Sequence, residues 1–122
     1  MASIEPSAGE IWIVDFGTTA KQRPVVVLAF PQPQDARALV VVVPLTSQIR
    51  GLRGEVDIGK PKWLTKHSTV NIQGLASIDY NSLQRRLGRL PPSQFEAVKD
   101  ALRDLLNFPS PLSFRLRPRL KT

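Results

Sequence analysis

The chain has 122 residues, a length that fits one domain with a modest hydrophobic core. Hydrophobic residues make up 42% of the chain, too large a fraction for a disordered protein. No apolar run approaches the ~20 residues that a membrane-spanning helix needs. The chain has no Cys and a single His, which excludes disulfides, thiolate catalysis, Cys-ligated metals and multi-histidine metal sites. Metal-free chemistry is therefore the first expectation.

The net charge of +7 is distributed unevenly. Residues 107–122 carry basic side chains and no acid, and their prolines disfavour a helix, so we predict a folded domain over 1–106 and a basic, Pro-containing tail over 107–122. An excess of basic groups favours polyanions such as RNA or DNA. In the body of the chain, the basic side chains between apparent strands are expected to lie on one rim: Arg50, Arg53, Lys60, Lys62, Lys66 and His67.

Short β-rich runs follow one another from residue 11 to residue 90. Continuous Val-rich runs at 24–30 and 38–43 predict strands buried on both faces, because a half-exposed strand would alternate apolar and polar residues. The prolines within 31–35 predict the turn between these two runs. Further strands are predicted at 11–16, at 54–58 as an edge strand, at 68–72 and around 84–90.

One segment has the spacing of an amphipathic helix. Its apolar residues recur at intervals of three and four: Phe95, Val98, Leu102 and Leu105. Ser93 and Glu96 form a capping-box pattern at its start, and Asn107 follows its last apolar residues. We expect this helix to pack on the strands. Five or six strands followed by one helix predict a mostly β fold, a small twisted barrel or half-barrel with a C-terminal α-helix.

Polar residues adjoin the two Val-rich strands where a site could form. Arg23 precedes the first of these strands, and Thr46 and Ser47 follow the second. If the strands are neighbours, Arg23 and Thr46 converge on one edge of the sheet. A permanently charged guanidinium with forked donors, beside a hydroxyl, would hold a phosphate. From residue types alone, an exposed arginine and a turn-capping threonine are the commoner roles.

Four stretches of the sequence match one known family in the same order. They are GEIWIVDF at 9–16, RPVVVL at 23–28, VVVPLTS at 41–47, and SID at 77–79 ahead of LGRL at 87–90 and the helix. On these stretches the chain resembles the MazF/PemK (Kid) family of toxin endoribonucleases, the mRNA interferases of type II toxin–antitoxin systems. The resemblance covers residues 9–106. It implies a CcdB/PemK-type barrel, similar to an SH3 barrel, that cleaves single-stranded RNA without a metal or other cofactor.

The resemblance also implies partners and a location. They are single-stranded RNA, a cognate antitoxin and a second copy in a homodimer, with DNA bound only through the antitoxin complex. No membrane partner is implied. The first ten residues lack the basic and apolar segments of a secretory signal, so a cytoplasmic protein is expected.

The family's catalytic pair maps onto Arg23 and Thr46. In the implied reaction the ribose 2′-OH attacks the phosphate and leaves a cyclic phosphate and a free 5′-OH. Arg23 would stabilise charge on the phosphoryl oxygens, and Thr46 would hold the phosphate in line. The residues predicted to bind the substrate around this pair are Phe16, as a base-stacking ring, with Ser47, Gln48, Arg50 and Gln73.

The chain departs from the family pattern where a proton acceptor would be expected. Gln73 and Ala76 stand at the family's acid and arginine positions, and a neutral amide cannot take a proton as a carboxylate can. Arg23 is a poor base because a guanidinium stays protonated at neutral pH. An imidazole can act as a base near neutral pH, but His67 lies outside the matched stretches. The sequence therefore assigns no general base.

Two other functions use the same fold. The first is a module that binds RNA or an antitoxin through the basic rim without cleaving, which the Gln73 and Ala76 replacements favour. The second is a CcdB-type gyrase poison. The chain ends in RLKT at 119–122 rather than in the Trp-Gly-Ile-like end of that family, which argues against the gyrase function.

Overall fold

A computed structural model of the chain describes residues 7–15, 22–32 and 38–108. Short 3₁₀ turns lie at Ile72–Gly74 and Tyr80–Ser82. The strands are β1 (Glu10–Asp15), β2 (Gln22–Ala29), β3 (Leu39–Thr46), β4 (Glu55–Gly59), β5 (Ser68–Asn71), β6 (Ala76–Asp79) and β7 (Leu83–Arg89), and the helix is α1 (Pro92–Leu106). The predicted mostly β fold with a C-terminal helix is confirmed. In these described ranges, no helix has the length and apolar character to cross a bilayer.

The strands form one antiparallel sheet in the order β4-β5-β3-β2-β1-β7, with β6 paired to β3. The strand predicted at 54–58 as an edge strand is β4, which lies at one end of this order. The last pair of the β2–β3 ladder is Val25 with Pro44, after which Leu45 and Thr46 pair with β5 instead. Pro24 and Pro44 lack an N–H to continue a ladder. We call the point where β2 and β3 separate the fork.

The three central strands are buried on both faces, as the Val-rich runs predicted. One cluster includes Ile11, Val26, Val43 and Leu45, and α1 packs against it through Val98, which is fully buried. The other cluster lies on the opposite face, because its members alternate with those of the first along each strand. Its buried members are Trp12, Val14, Val25, Val27, Val40 and Val42. Two cores thus fix the strands that reach the fork.

The helix begins earlier than predicted. Its first residue is Pro92 and its N-cap is Pro91, which has no side-chain capping bond, so the prediction of a capping box from Ser93 is wrong. Proline is favoured in the first turn of a helix because its fixed φ is already helical and its missing N–H would have no partner there. The predicted C-terminal end of the helix is confirmed. Asn107 adopts the left-handed conformation at φ 60°, and its backbone N–H donates to the Arg103 and Asp104 carbonyl oxygens. Most of the predicted tail, from residue 109 onward, lies outside the described residues.

A buried carboxylate, Glu10, ties β1 to β7. Its side chain accepts hydrogen bonds from Arg86 Nη1 at 2.8 Å, Ser7 N at 2.7 Å and Trp12 Nε1 at 3.2 Å, and Arg89 Nη2 lies 3.4 Å away. Burial raises the pKa of Glu10, but the hydrogen bonds from Arg86, Ser7 and Trp12 outweigh it and hold the pKa below its ordinary value of 4.5. The ionised carboxylate therefore stabilises the folded chain.

We expect Glu10→Gln to lower the free energy of unfolding at pH 7 by about 2 kcal/mol, since charge-assisted hydrogen bonds are lost. Because the pKa is depressed in the folded state, this stabilisation is complete above pH 4.5 and is lost as the pH falls further. Urea denaturation at several pH values checks this, with Asp104→Asn, which removes an exposed carboxylate of α1, as the control. A difference between wild type and Glu10→Gln that stays constant down to pH 3 would contradict it.

Candidate active site

A cavity of about 620 Å³ opens at the fork. Its walls come from the start of β2, the end of β3 with the residues that follow it, and the segment that enters β5. The lining residues are Gln22, Arg23, Pro24, Leu45, Thr46, Ser47, Gln48, Leu64, Thr65, Lys66 and Ser68. The separation of β2 from β3 thus creates a concave surface at the end of the barrel.

Arg23 and Thr46 adjoin the fork. Each lies two residues beyond the last β2–β3 pair, Val25 with Pro44, one on either strand. Both residues line the cavity. The structure therefore brings together the pair that the sequence placed at the ends of two strands, while their catalytic roles stay a prediction.

The Thr46 hydroxyl is oriented by the turn that follows β3. Its Oγ1 accepts a hydrogen bond from the backbone N–H of Gln48 at 3.0 Å. This local bond, typical of Ser and Thr at turns, fixes the side-chain oxygen and leaves the hydroxyl hydrogen to donate. Thr46 is half-buried and Ser47 is exposed. The end of β3 therefore presents hydroxyl donors to the cavity.

The Arg23 guanidinium is available to a ligand. Its backbone is held in β2 by pairing with Val14 of β1. The side chain is exposed and makes no hydrogen bond or ion pair with any residue that the structure describes. A rigid strand thus carries a permanent cation with unused donors, which is the arrangement that binds a phosphate.

The other predicted substrate-binding residues differ in position. Gln48 lines the cavity, and its Oε1 accepts a hydrogen bond from Arg50 Nη2 at 3.3 Å, so Arg50 reaches the rim through Gln48. Gln73 lies outside the lining, where its Nε2 donates to the Arg53 carbonyl oxygen at 3.0 Å. Phe16 lies outside the described residues. The structure therefore places Ser47 and Gln48 in the cavity with Arg23 and Thr46, whereas Arg50 and Gln73 do not line it.

His67 is directed away from the cavity. Its Nε2 lies 2.6 Å from Asp57 Oδ1 on β4, and it does not line the cavity, although Lys66 and Ser68 on either side of it do. The backbone N–H of Gly59, followed by the imidazole of His67, holds the pKa of Asp57 below its ordinary value. The one imidazole of the chain is thus bound to a carboxylate on the outer strand.

Among the described residues, the lining has cations and no acid. Its described charged residues are Arg23 and Lys66, and no Asp, Glu or His is among them. In the part of the chain that the structure describes, no group of three or more His, Cys, Asp or Glu could hold a metal ion. The cavity is therefore suited to an anion.

Sequence reasoning missed one wall of this cavity. Leu64, Thr65 and Lys66 come from the segment that links β4 to β5, and Ser68 is the first residue of β5. The run of Lys60, Lys62 and Lys66 was a signal that charge lies here, but nothing local indicated that Lys66 shares a cavity with Arg23.

Thr69, the partner of Thr46 in the β3–β5 ladder, has an unsatisfied hydroxyl. The residue is 2% exposed, and its Oγ1 has no hydrogen-bond partner among the described residues. A buried unsatisfied polar group costs about 1–3 kcal/mol.

We expect the nearly isosteric Thr69→Val to raise the free energy of unfolding by about 1 kcal/mol in urea denaturation. Thr46→Val is the matched control, because it removes a hydroxyl that accepts a hydrogen bond from Gln48 N and is therefore not expected to raise the free energy of unfolding. A lower free energy of unfolding for Thr69→Val than for the wild type would contradict the prediction.

Comparisons with known proteins identify the family. Residues 7–106 match the family model described as the PemK-like, MazF-like toxin of type II toxin–antitoxin systems. The chain belongs to the PemK/MazF toxin family. The Mycobacterium tuberculosis protein named "Probable endoribonuclease MazF5" is 37% identical over 101 residues, which cover 80% of this chain and 89% of the relative.

Solved structures of PemK/MazF toxins share the fold. The Mycobacterium tuberculosis toxin MazF-mt6 aligns with a TM-score of 0.71 and 28% identity, over 83% of this chain and 99% of that one. MazF in a MazE–MazF complex from Deinococcus radiodurans aligns with a TM-score of 0.69 and 26% identity, over 88% of this chain and 100% of that one. The resemblance stated from four sequence stretches is thus confirmed, and it places the Arg23–Thr46 cavity in a PemK/MazF barrel.

Proposed function

We propose that this PemK/MazF endoribonuclease cuts single-stranded RNA, including mRNA, without a metal ion, and that Arg23 and Thr46 are its catalytic residues. The observation that supports this most directly is that both residues line one cavity, and that the charged groups in its described lining are cationic. An anionic phosphodiester fits such a cavity, and the known activity of the family supplies the reaction.

The reaction needs only the substrate's own nucleophile. The ribose 2′-oxygen attacks the adjacent phosphorus, the bond to the 5′-oxygen of the next nucleotide breaks, and the products are a 2′,3′-cyclic phosphate and a 5′-hydroxyl. Arg23 stabilises the negative charge that grows on the non-bridging oxygens, and the Thr46 hydroxyl donates to one of them. Two donors from two strands fix the phosphate so that attacking and leaving oxygens are in line.

The described lining offers no carboxylate or imidazole to take the proton from the 2′-OH. Gln73, at the family's acid position, is bound to a backbone carbonyl oxygen outside the cavity. The contribution of this cavity is therefore charge stabilisation and alignment. The 2′-OH proton passes to a group beyond the described lining or to solvent, and the leaving 5′-oxygen takes up a proton from solvent.

The toxin acts as a cytoplasmic homodimer and is inhibited by a cognate antitoxin whose acidic segment covers the same cationic cavity. Charge complementarity supports this, because an acidic peptide and an RNA backbone are both anionic and the described lining carries the cations Arg23 and Lys66. DNA is bound only through the antitoxin in the complex.

The decisive experiment maps the ends of RNA fragments produced by the purified protein in EDTA. We expect cleavage to continue in the chelator, to leave cyclic phosphate and 5′-hydroxyl ends, and to stop when a 2′-deoxynucleotide replaces the residue 5′ of the cut. Ends carrying a 3′-hydroxyl and a 5′-phosphate would contradict the mechanism, since they require an external nucleophile.

A binding-only module is the second candidate, and the absence of a base from the described lining favours it. It predicts salt-dependent RNA binding with no cleavage under any condition. Cleavage at a fixed sequence would exclude this alternative.

A further inference from the structure

The segment between β4 and β5 is anchored against β7 by Trp63. A Cβ built on Gly88 of β7 would lie 2.5 Å from Trp63 Nε1, so the indole ring lies directly against the β7 backbone. Trp63 and Leu64 also pack against the core cluster that includes Ile11, and Leu64 N donates to the Pro61 carbonyl oxygen at 3.0 Å. This segment is therefore a fixed wall of the cavity.

Lys66 is placed by that wall and by the start of β5. The Ser68 hydroxyl donates to the Lys66 carbonyl oxygen at 3.1 Å, and Ser68 is buried. β5 lies on one side of β3 and β2 on the other. Lys66 precedes β5 and Arg23 lies in β2, so the two residues approach the cavity from opposite sides of β3, which carries Thr46.

The charge of Lys66 is not neutralised by a neighbouring acid. Within the described part of the chain, the acid closest to it in the β4–β5 ladder is Asp57, opposite Thr69. The Asp57 carboxylate accepts the Gly59 N–H at 2.8 Å and lies 2.6 Å from His67 Nε2, both through Oδ1. No ion pair of a described residue involves Lys66. Within the described residues, the cavity lining therefore holds two separate cations that form no ion pair.

We infer that Lys66 is a substrate-binding residue that contacts a phosphate flanking the scissile one, while Arg23 contacts the scissile phosphate. The inference rests on the proposed RNA cleavage. Two cations on opposite walls match two phosphates of one strand better than one shared phosphate. The compact ammonium of lysine binds a phosphate as a point charge, without the forked geometry that alignment of the reacting phosphate requires. Lys66 thus contributes substrate affinity, and Arg23 contributes the chemistry.

The test combines Lys66→Gln with neutral methylphosphonates introduced singly at the linkages that flank the mapped cut. We expect Lys66→Gln to raise KM roughly tenfold on the unmodified oligonucleotide and to change kcat little. One flanking methylphosphonate raises KM of the wild type by a similar factor and leaves KM of Lys66→Gln unchanged, because the contact is already gone. The matched control is Arg85→Gln, which removes an exposed cation of β7 that does not line the cavity.

Two results would overturn the inference. Equal KM values for Lys66→Gln and wild type would show that Lys66 binds no phosphate. A lower kcat with full sensitivity to every flanking methylphosphonate would place Lys66 at the scissile phosphate instead. If the wild type cleaves nothing, the proposed function fails separately. The same variants and methylphosphonates are then compared by their binding of a 2′-deoxy-substituted oligonucleotide. Loss of one phosphate contact is expected to lower the slope of log affinity against log salt concentration by ~0.7.

Discussion

Arg23→Ala is expected to reduce the kcat/KM for RNA cleavage by roughly 10²–10³ or more, because it removes the guanidinium that stabilises charge on the reacting phosphate. The thermal midpoint is expected to stay close to that of the wild type, since the side chain is exposed and makes no hydrogen bond or ion pair with the described residues. Arg23→Lys is expected to recover a small part of the activity, because an ammonium keeps the charge but lacks the paired, planar donors of the guanidinium. Cleavage of a labelled oligonucleotide and thermal denaturation give both readouts.

The matched control for this loss is Arg85→Ala. Arg85 is an exposed arginine of β7 that does not line the cavity, so its removal changes the net charge equally without touching the site. We expect this variant to keep its cleavage rate near that of the wild type. A folded Arg23→Ala protein that cleaves at the rate of Arg85→Ala would show that the catalytic assignment is wrong.

Gly88→Ala is expected to destabilise the chain by about 1–3 kcal/mol, as overpacking of a tight contact does. The new Cβ would lie 2.5 Å from Nε1 and 2.7 Å from two further ring atoms of Trp63, so either the ring or β7 must move. Because Trp63 anchors the wall that carries Lys66, we also expect weaker RNA binding. Urea denaturation and the KM for RNA check the two effects.

A double-mutant cycle isolates the cause of this loss. In a Trp63→Ala background the ring is absent, so the further change Gly88→Ala is expected to cost little. Free-energy losses that simply add in the double variant would show that Gly88 matters through the β7 backbone and not through the indole.

Most of the strands could be predicted from the sequence, because the residue patterns that indicate them are local. The continuous Val runs at 24–30 and 38–43 predicted burial on both faces, and both faces are buried at Val25, Val26, Val42 and Val43. The proximity of Arg23 to Thr46 followed once these runs were taken as neighbours, since antiparallel pairing fixes which residues are opposite. The four matched stretches supplied the family, which residue types alone could not.

The remaining features depend on contacts between distant parts of the chain. β6 (Ala76–Asp79) has three exposed residues out of four, so it has no apolar pattern and is a strand only because β3 pairs with it. Lys66 reaches the cavity because Trp63 packs on a glycine 25 positions further along the chain, a relation that no local pattern encodes. The start of α1 was misplaced because Ser93 and Glu96 fit a capping box while Pro92 already begins the helix.

The cationic character of the described lining also bears on how the enzyme should be handled in the laboratory. Cations beside a threonine hydroxyl suit small oxyanions such as inorganic phosphate, sulfate or pyrophosphate as well as a nucleic-acid backbone. We expect such buffer anions to compete with RNA for this cavity, and turnover measured in phosphate-buffered saline to be lower than in chloride or acetate.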